Sequence, residues 1–215
     1  MDERFLGKVV ALITRASDDG PELLLFQHPH AGIQLPAGTV EEGEAPSAAA
    51  LREAQEETGL DGLALLAHIG SQVTTLPEHR FVLRPTRVTS RPDEESFDWA
   101  ALPRGVMVRR LRQDGAFVQV RYQEWDRLPD NRYVTYAITG WVRRAALAEG
   151  LRRHFFHLLH TGETPSQWTV AVDNHRFRLF WADLDALPEL EPLQAQWLAQ
   201  VQDVLGYDLA RATPR

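Results

Sequence analysis

Cysteine is absent from the 215-residue chain, which excludes disulfides and thiolate metal centres. A reducing compartment is compatible with this composition. No apolar run approaches the length of about 18 residues that a membrane-spanning helix needs. The first residues, MDERFLGKVVALITR, combine acidic side chains with only a short apolar run, a pattern unlike that of a signal peptide. We therefore expect a cytoplasmic protein that does not enter a membrane.

Lysine is almost absent: Lys8 is the only one, and arginine supplies the rest of the positive charge. We interpret this bias as an effect of genomic base composition rather than as a need for guanidinium groups. The formal net charge of −7 gives no strong signal for nucleic-acid binding, although it leaves room for a local basic patch. With 44% hydrophobic and 25% charged residues, the composition is that of one large or two small globular domains.

The N-terminal third predicts a hairpin followed by a loop and a helix. Apolar and β-branched residues at 8–15 and 22–28 flank the turn-forming segment SDDGP. A loop rich in proline and glycine follows the second strand. Pro46 suits a first helical turn, Gly59 suits the position after a helix C-terminus, and the residues between them are strong helix formers. A helix is therefore predicted from Pro46 to Thr58.

Residues 91–150 differ in composition and residue pattern from the segments on either side. The segment RPDEESFDWAALP resembles an acidic linker, and short alternating strands separated by turns follow it. These residues predict a small all-β module that is either a small barrel, a hairpin lid of the main domain or an arm for dimerisation. Its aromatic residues are a binding platform or, as is commoner in so small a module, part of its core: Trp125, Tyr133, Tyr136 and Trp141.

The C-terminal third predicts strands and a closing helix. The segment HFFHLLH carries histidines that a helix would align for zinc, whereas a strand would turn His157 away from His154 and His160. We favour the strand. The segment HRFRLFWADL also predicts a strand. The last predicted element is an amphipathic helix with apolar residues at four-residue spacing: Leu193, Trp197, Val201 and Leu205.

Glutamates are concentrated between residues 35 and 60. Three of them, Glu53, Glu56 and Glu57, fall on one face of the predicted helix, where like charges repel. Arg52 alone cannot neutralise them, whereas a divalent cation can. Oxygen ligands without histidine or cysteine favour a hard ion such as Mg²⁺ or Mn²⁺. From the residues alone, the alternative is an acidic helix face that is simply solvated.

The wider spacing decides between these alternatives. The segment from Gly38 to Leu60 resembles the Nudix box of the Nudix hydrolase family, with aliphatic residues at 54 and 60 and a match at the restricted positions: Gly38, Glu44, Arg52, Glu53, Glu56, Glu57 and Gly59. The resemblance implies an α/β fold, an α/β/α sandwich around a mixed β-sheet, formed by 1–90 and 151–215 with 91–150 as an inserted module.

The resemblance also implies roles for residues in the box. Glu53, Glu56 and Glu57 would be catalytic metal ligands together with the carbonyl of Gly38, and Arg52 would orient a glutamate. The roles implied for Glu44 and Gly59 are structural. Mg²⁺ is the expected cofactor, with Mn²⁺ as a substitute.

The resemblance leaves the general base and the substrate contacts open. The general base is Glu53, Glu56 or a residue of another loop, for which Glu78 and His175 are candidates. Three residues precede the box where a diphosphate would lie, and they contact substrate or satisfy loop backbone groups instead: Gln27, His28 and Gln34.

The resemblance leaves the substrate open. Nudix proteins typically hydrolyse a nucleoside diphosphate linked to another group, and the position of Pro77 resembles that of a proline in ADP-ribose pyrophosphatases. The expected partner is thus a nucleotide-type small molecule of the ADP-ribose or nucleotide-sugar type. Modified nucleoside triphosphates and dinucleoside polyphosphates are the alternative substrates. A non-catalytic nucleotide sensor is the alternative of another class, and a homodimer is an expectation from the family.

Overall fold

In the computed structural model the chain is described for residues 4–29, 31–125, 134–172 and 175–212, with the backbone alone for 172, 175 and 207–212. These residues form two compact units. The unit made of 7–72 and 153–215 contains both α-helices and is called the helical unit. The unit made of 1–6 and 73–152 is called the strand unit. Among the described helices, none is long and apolar enough to cross a membrane.

The described residues contain two α-helices, one short 3₁₀ helix and 15 strands. The first part of the chain forms β1 (Phe5–Ser17), β2 (Gly20–His28), β3 (Gly32–Gln34), β4 (Ala37–Thr39), α1 (Pro46–Thr58) and β5 (Leu63–Thr75). The middle forms β6 (His79–Val82), β7 (Thr86–Thr89), β8 (Asp98–Leu102), β9 (Met107–Asp114), β10 (Phe117–Trp125), β11 (Val134–Arg143), the 3₁₀ helix (Arg144–Ala146) and β12 (Leu147–Ala148). The last part forms β13 (Gly150–His160), β14 (Gln167–Val172), β15 (His175–Asp183) and α2 (Pro192–Ala212).

The helical unit is a sheet covered by one helix on each face. The strand order is β14-β15-β2-β1-β13-β5, with β3 beside β2 and β4 beside β1. Successive residues of β1 point to opposite faces, so Val9 packs in the cluster that holds α1 and Val10 in the cluster that holds α2. This arrangement confirms the predicted α/β fold with an α/β/α sandwich.

Helix α1 has the predicted bounds and lies close to the sheet. Pro46 occupies its first turn, and Gly59 ends it at a φ of 69° with its N–H donating to the carbonyl of Gln55 at 2.8 Å. The face buried against the sheet is built from alanines, Ala49, Ala50 and Ala54. Because these side chains are short, the carboxylates of the same helix can reach the backbone of neighbouring strands.

Helix α2 buries most of its predicted apolar stripe. Trp197, Val201 and Leu205 are buried against the sheet. Leu193 is 51% exposed, so its predicted place in the stripe is wrong. It lies one residue inside the helix N-terminus at Pro192, where the described contacts do not bring the side chain into the core.

The strand unit is a separate sheet with its own aliphatic core. Its strand order is β12-β6-β9-β10-β11-β7-β8. Valines and leucines from all seven of these strands fill the core: Val82, Val88, Leu102, Val108, Val118, Val120, Val142 and Leu147. The expected insertion of 91–150 stays a prediction, since a division into compact units does not say which segment was added to the family fold.

The predicted acidic linker is wrong over its second half. Residues Asp98–Leu102 form β8, which pairs antiparallel with β7, and Leu102 lies in the core of the strand unit. The preceding acidic run hides this short strand in the sequence. Within that run, Glu94 is in fact held by an ion pair with Arg143.

The aromatic residues of the strand unit divide into two groups. Trp141 is buried, and the guanidinium of Arg112 lies 5.0 Å from the centroid of its ring. Trp125 and Tyr136 are 48% and 44% exposed, so the expectation that they form core is wrong for both. They lie at the end of the β10–β11 pair next to the connection between the two strands, where Tyr136 pairs with Glu124 and Trp125 pairs with Val134. Tyr133 lies outside the described residues.

The histidine-rich segment is the strand β13, as predicted. His157 and His160 are buried, on opposite faces of the sheet. His157 Nε2 lies 2.8 Å from Thr14 Oγ1, while His160 stacks on Trp181. The zinc alternative required a helix to align His154, His157 and His160. Because this segment is a strand, that alignment is not present.

Candidate functional site

The predicted glutamates of α1 meet strand β4. Glu57 Oε2 accepts a hydrogen bond from the N–H of Ala37 at 2.9 Å, and Glu53 Oε1 accepts one from the N–H of Thr39 at 3.0 Å. Four residues of helix rise about 6 Å, and two residues of strand span about 6.6 Å. The two carboxylates therefore match alternate amides of an adjoining strand and bracket Gly38 between them.

Gly38 is the point of closest approach between helix and strand. A Cβ atom added there would lie 1.9 Å from Glu53 Cδ and 2.2 Å from each of its carboxylate oxygens. The need for glycine is therefore one of space, because any side chain would displace the Glu53 carboxylate. In β4, Gly38 also pairs with Val9 of β1, which fixes the strand in the sheet.

Arg52 links the loop before α1 to the helix face. Its Nε and one terminal nitrogen donate to the two oxygens of Glu44, each at 2.9 Å, a bidentate geometry. Its other terminal nitrogen lies 3.0 Å from Glu53 and 3.1 Å from Glu56. The same guanidinium donates to the carbonyl of Thr39 at 3.1 Å. One cation thus holds three carboxylates and the backbone of β4.

The charges of this cluster shift each other's protonation. Hydrogen bonds from Arg52 hold the pKa of the Glu44 carboxyl below its usual value. The hydrogen bond to Glu44, with a smaller contribution from Glu53, raises the pKa of Arg52 further above its already high value. Glu44 also accepts a bond from the N–H of Glu41 at 2.8 Å, so it ties the loop together. The Glu44–Arg52 pair is fully ionised at neutral pH.

The carboxylates differ in their access to solvent. The side chains of Glu44 and Glu53 are 16% and 15% exposed, whereas that of Glu56 is 57% exposed. The two more shielded carboxylates, Glu44 and Glu53, are also those that both Arg52 and backbone N–H groups contact. Glu56 offers its carboxylate to solvent while one oxygen contacts Arg52.

Lys8 and Thr39 belong to this cluster and were missed by sequence reasoning. Lys8 pairs with Thr39 across β1 and β4, and its Nζ donates to Thr39 Oγ1 at 2.5 Å. Thr39 is thus held at its N–H by Glu53, at its carbonyl by Arg52 and at its hydroxyl by Lys8. The status of Lys8 as the only lysine was a weak signal, but its partner lies 31 residues away and depends on strand pairing.

Three predicted substrate contacts lie in the β2–β3 region of the helical unit. The amide nitrogen of Gln27 donates to the carbonyl of His28 at 3.3 Å, and that of Gln34 donates to the carbonyl of Ala31 at 3.0 Å. The ring of His28 lies 5.3 Å from that of Phe177. Gln27 thus bonds a carbonyl at the end of β2 and Gln34 bonds one between β2 and β3, and both roles expected for them stay predictions.

The predicted base candidates are not brought to the cluster by any described contact. Glu78 lies in a turn of the strand unit, where its carboxylate is 72% exposed and 3.5 Å from Arg109. The backbone of His175 begins β15, and its side chain lies outside the described residues. Both assignments stay predictions.

The cluster fits a hard divalent cation by donor chemistry. Its candidate ligand atoms are carboxylate and carbonyl oxygens, the ligands of Mg²⁺. In the described part of the chain, however, no three His, Asp or Glu side chains are gathered as a finished metal centre. The donors are spread along one helix face, as suits an ion that keeps several waters and shares its coordination with substrate phosphates.

Comparison with known proteins gives one family. The NUDIX domain matches residues 6–137, more than half of the chain. A search of curated proteins finds no match. Among solved structures, a Listeria monocytogenes protein described as a NUDIX hydrolase matches at 14% identity and a TM-score of 0.42, over 94% of this chain and 95% of that one. A Caenorhabditis elegans Ap4A hydrolase matches at 12% identity and a TM-score of 0.35, over 96% and 97%. At these identities neither likeness bears on the substrate.

Proposed function

Since the chain belongs to the Nudix family and is a pyrophosphohydrolase, we propose that it hydrolyses the pyrophosphate bond of a nucleoside diphosphate linked to another group, as in ADP-ribose or a nucleotide sugar. The observation that supports this proposal best is the bracketing of Gly38 by two amide-bound glutamates, Glu53 and Glu57, beside the exposed carboxylate of Glu56. The family uses divalent metal ions, and Mg²⁺ is the ion proposed here.

The metal ligands proposed are the carboxylates of Glu53, Glu56 and Glu57 with the carbonyl of Gly38. A bound Mg²⁺ would neutralise diphosphate charge and lower the pKa of a coordinated water. The N–H of Ala37 donates to Glu57 and the N–H of Thr39 donates to Glu53, and these two bonds hold the segment around Gly38 against the helix. The protein thus sets the positions of its oxygen donors before substrate arrives, which is the chief contribution of a protein to phosphoryl transfer.

Arg52 is proposed as a positioning residue rather than a substrate contact. Its guanidinium holds Glu44, Glu53 and Glu56 in one arrangement. Glu44 would act with it by fixing the loop that leads into α1, and Gly59 would end the helix after Glu57. These roles follow from contacts within the protein and need no ligand.

Hydrolysis needs no reagent besides water. The water oxygen forms a bond to one phosphorus, the bond from that phosphorus to the bridging oxygen breaks, and two phosphate monoesters leave. The proton lost by the water passes to a base. Glu56, the most exposed carboxylate of the cluster, supports one assignment, with Glu53, Glu78 and His175 as the alternatives.

The substrate class rests on the weakest support, the position of Pro77. This proline lies in the turn between β5 and β6, next to Glu78. Its spacing from the box resembles that in ADP-ribose pyrophosphatases. A screen of substrates therefore tests the proposal more directly than any further geometry.

The test is hydrolysis of a panel with Mg²⁺ or Mn²⁺, with products separated by mass. The panel contains ADP-ribose, nucleotide sugars, dinucleoside polyphosphates, and normal and oxidised nucleoside triphosphates. Glu56→Gln removes the exposed carboxylate charge. Glu41→Gln is the matched control, because Glu41 is an exposed glutamate of the same region whose described bonds involve only its backbone.

We expect turnover of ADP-ribose or a nucleotide sugar by the parent and by Glu41→Gln, and a loss of about a hundredfold or more in Glu56→Gln. A preference for dinucleoside polyphosphates or oxidised triphosphates would show that the proposed substrate class is wrong. The proposed pyrophosphate hydrolysis would still stand. Metal-dependent nucleotide binding without turnover of any compound would contradict the hydrolase and leave a sensor.

A further inference from the structure

Two histidines meet on the sheet of the helical unit. His68 comes from β5 and His154 from β13, which are neighbours at one end of the sheet order. His68 Nε2 and His154 Nδ1 lie 3.3 Å apart, and the ring centroids are 5.3 Å apart. Sequence reasoning grouped His154 with the other histidines of its own strand, whereas the fold places it beside a histidine 86 residues away.

The distance between these nitrogens suits shared ligation of a metal ion. In a tetrahedral site with metal–nitrogen bonds of about 2.0–2.1 Å, two ligand nitrogens are about 3.3–3.4 Å apart. A direct N–H hydrogen bond is usually shorter, with heavy atoms about 2.7–3.2 Å apart. The observed 3.3 Å therefore matches the edge of a coordination tetrahedron better than it matches a single shared proton.

The two rings are held in place by a third. Phe156 lies two residues after His154 on the same face of β13, and its ring centroid is 4.8 Å from that of His68 and 6.3 Å from that of His154. Phe156 is itself buried in the core. The contact of the His68 ring with this buried ring would reduce the side-chain entropy lost when His68 binds a metal ion.

The site is open to ions from solution. The side chain of His68 is exposed and that of His154 is half-buried. Strand β5 ends the sheet order of the helical unit, so no further strand of that order covers His68. An incoming ion therefore needs no opening of the core.

We propose that His68 and His154 form a binding site for a transition-metal ion of the imidazole-preferring class, such as Zn²⁺, Ni²⁺, Co²⁺ or Cu²⁺. Neutral imidazole suits these ions, whereas Mg²⁺ prefers oxygen ligands. Two positions of a tetrahedral ion would remain for water or for an incoming ligand, because the described residues add no third His, Asp or Glu to the pair. The chain would then bind two chemically different classes of cation at two places.

The test measures metal binding directly and does not depend on the proposed hydrolysis. The full chain, free of any affinity tag, is titrated with Ni²⁺ and with Zn²⁺ by calorimetry in excess Mg²⁺, which occupies oxygen sites. His68→Ala and His154→Ala each remove one ligand. His79→Ala is the matched control, because it removes a histidine of the strand unit. Circular dichroism in chelator checks that each variant is folded.

We expect one ion per chain in the parent and in His79→Ala, and a weakening of about tenfold or more in each ligand variant. The rise in unfolding temperature caused by Zn²⁺ should also disappear in both ligand variants, since it reports binding to the native state. Because His68 is exposed, His68→Ala should fold normally. It therefore tests the site even if His154→Ala does not fold. Absence of binding, or equal binding in all three variants, would show that the histidines share only a proton and would overturn the site.

Discussion

Replacing Gly38 by alanine would test the contact on which the glutamate cluster depends. The added methyl carbon would lie 1.9 Å from Glu53 Cδ, whereas carbon atoms in contact are about 3.5–4.0 Å apart. The carboxylate must therefore move by about 1.5–2 Å. The end of a flexible side chain can make that movement, but Glu53 then loses its bonds to Thr39 and Arg52, each 3.0 Å long.

Gly38→Ala should lower the stability of the protein moderately but its activity severely. Loss of a hydrogen bond that involves a charged group costs about 1.5–3 kcal/mol, and solvent at the partly exposed carboxylate lowers this to about 1–3 kcal/mol. A catalytic group displaced by about 1 Å can lose a hundredfold in rate, so we expect a fall of that size or larger in kcat. The protein should thus stay folded while turnover of its substrate nearly stops.

Urea unfolding and steady-state kinetics measure the two effects, with Gly206→Ala as control. A Cβ at Gly206 would meet nothing within 4 Å, and the residue lies inside α2. Alanine there should stabilise by up to about 1 kcal/mol, the opposite sign. In a Glu53→Ala background the cost of Gly38→Ala should vanish. A normal rate and normal stability in Gly38→Ala would refute the close approach of Glu53 to this glycine.

Three further predictions concern the surroundings of the cluster. Because the pKa of Glu44 is lowered by Arg52, the stability it contributes is present above its ordinary value of 4.5 and is lost as the pH falls through the lowered value. Glu44→Gln should therefore destabilise at about pH 7, and this effect should shrink as the pH falls below 4.5, so an effect that does not change on acidification in urea unfolding would contradict this. Gly59→Ala forces an ordinary residue to a φ of 69° and should lower stability by about 1 kcal/mol, whereas an unchanged urea midpoint would count against a left-handed cap. Lys8→Met removes the bond to Thr39 and should raise the Mg²⁺ concentration for half-maximal rate more than it lowers kcat, a split that a purely structural lysine would not produce.

Local patterns in the sequence were enough to predict α1 and its glutamates. Pro46, the alanines and Gly59 determine the helix bounds through backbone preferences that act over a few residues. The opening hairpin, β13 and the closing helix follow from periodicity in the same way. The short strand β8 was missed, because an acidic run precedes it and its support comes from pairing with β7 rather than from its own residues.

Contacts between distant segments could not be read from the sequence. Lys8 reaches Thr39 only because β1 pairs with β4, and His68 reaches His154 only because β5 lies beside β13. Register decides which side chains meet, and a shift by one residue would turn them to the other face. The spacing of residues within a motif is local, whereas the partners of that motif are set by the sheet.

The geometry of helix and strand gives a physical reason for part of the box. Glu53 and Glu57 are one helical turn apart, and the amides they bind are two strand residues apart, so the two repeats agree to within about 1 Å. Only the residue between those amides faces the gap, and there only glycine leaves room for the Glu53 carboxylate. One residue added between the glutamates would rotate Glu57 by about 100° and break the match. The glycine and the two glutamates therefore act as a single structural unit, and a change at any one of them moves the oxygen donors of the others.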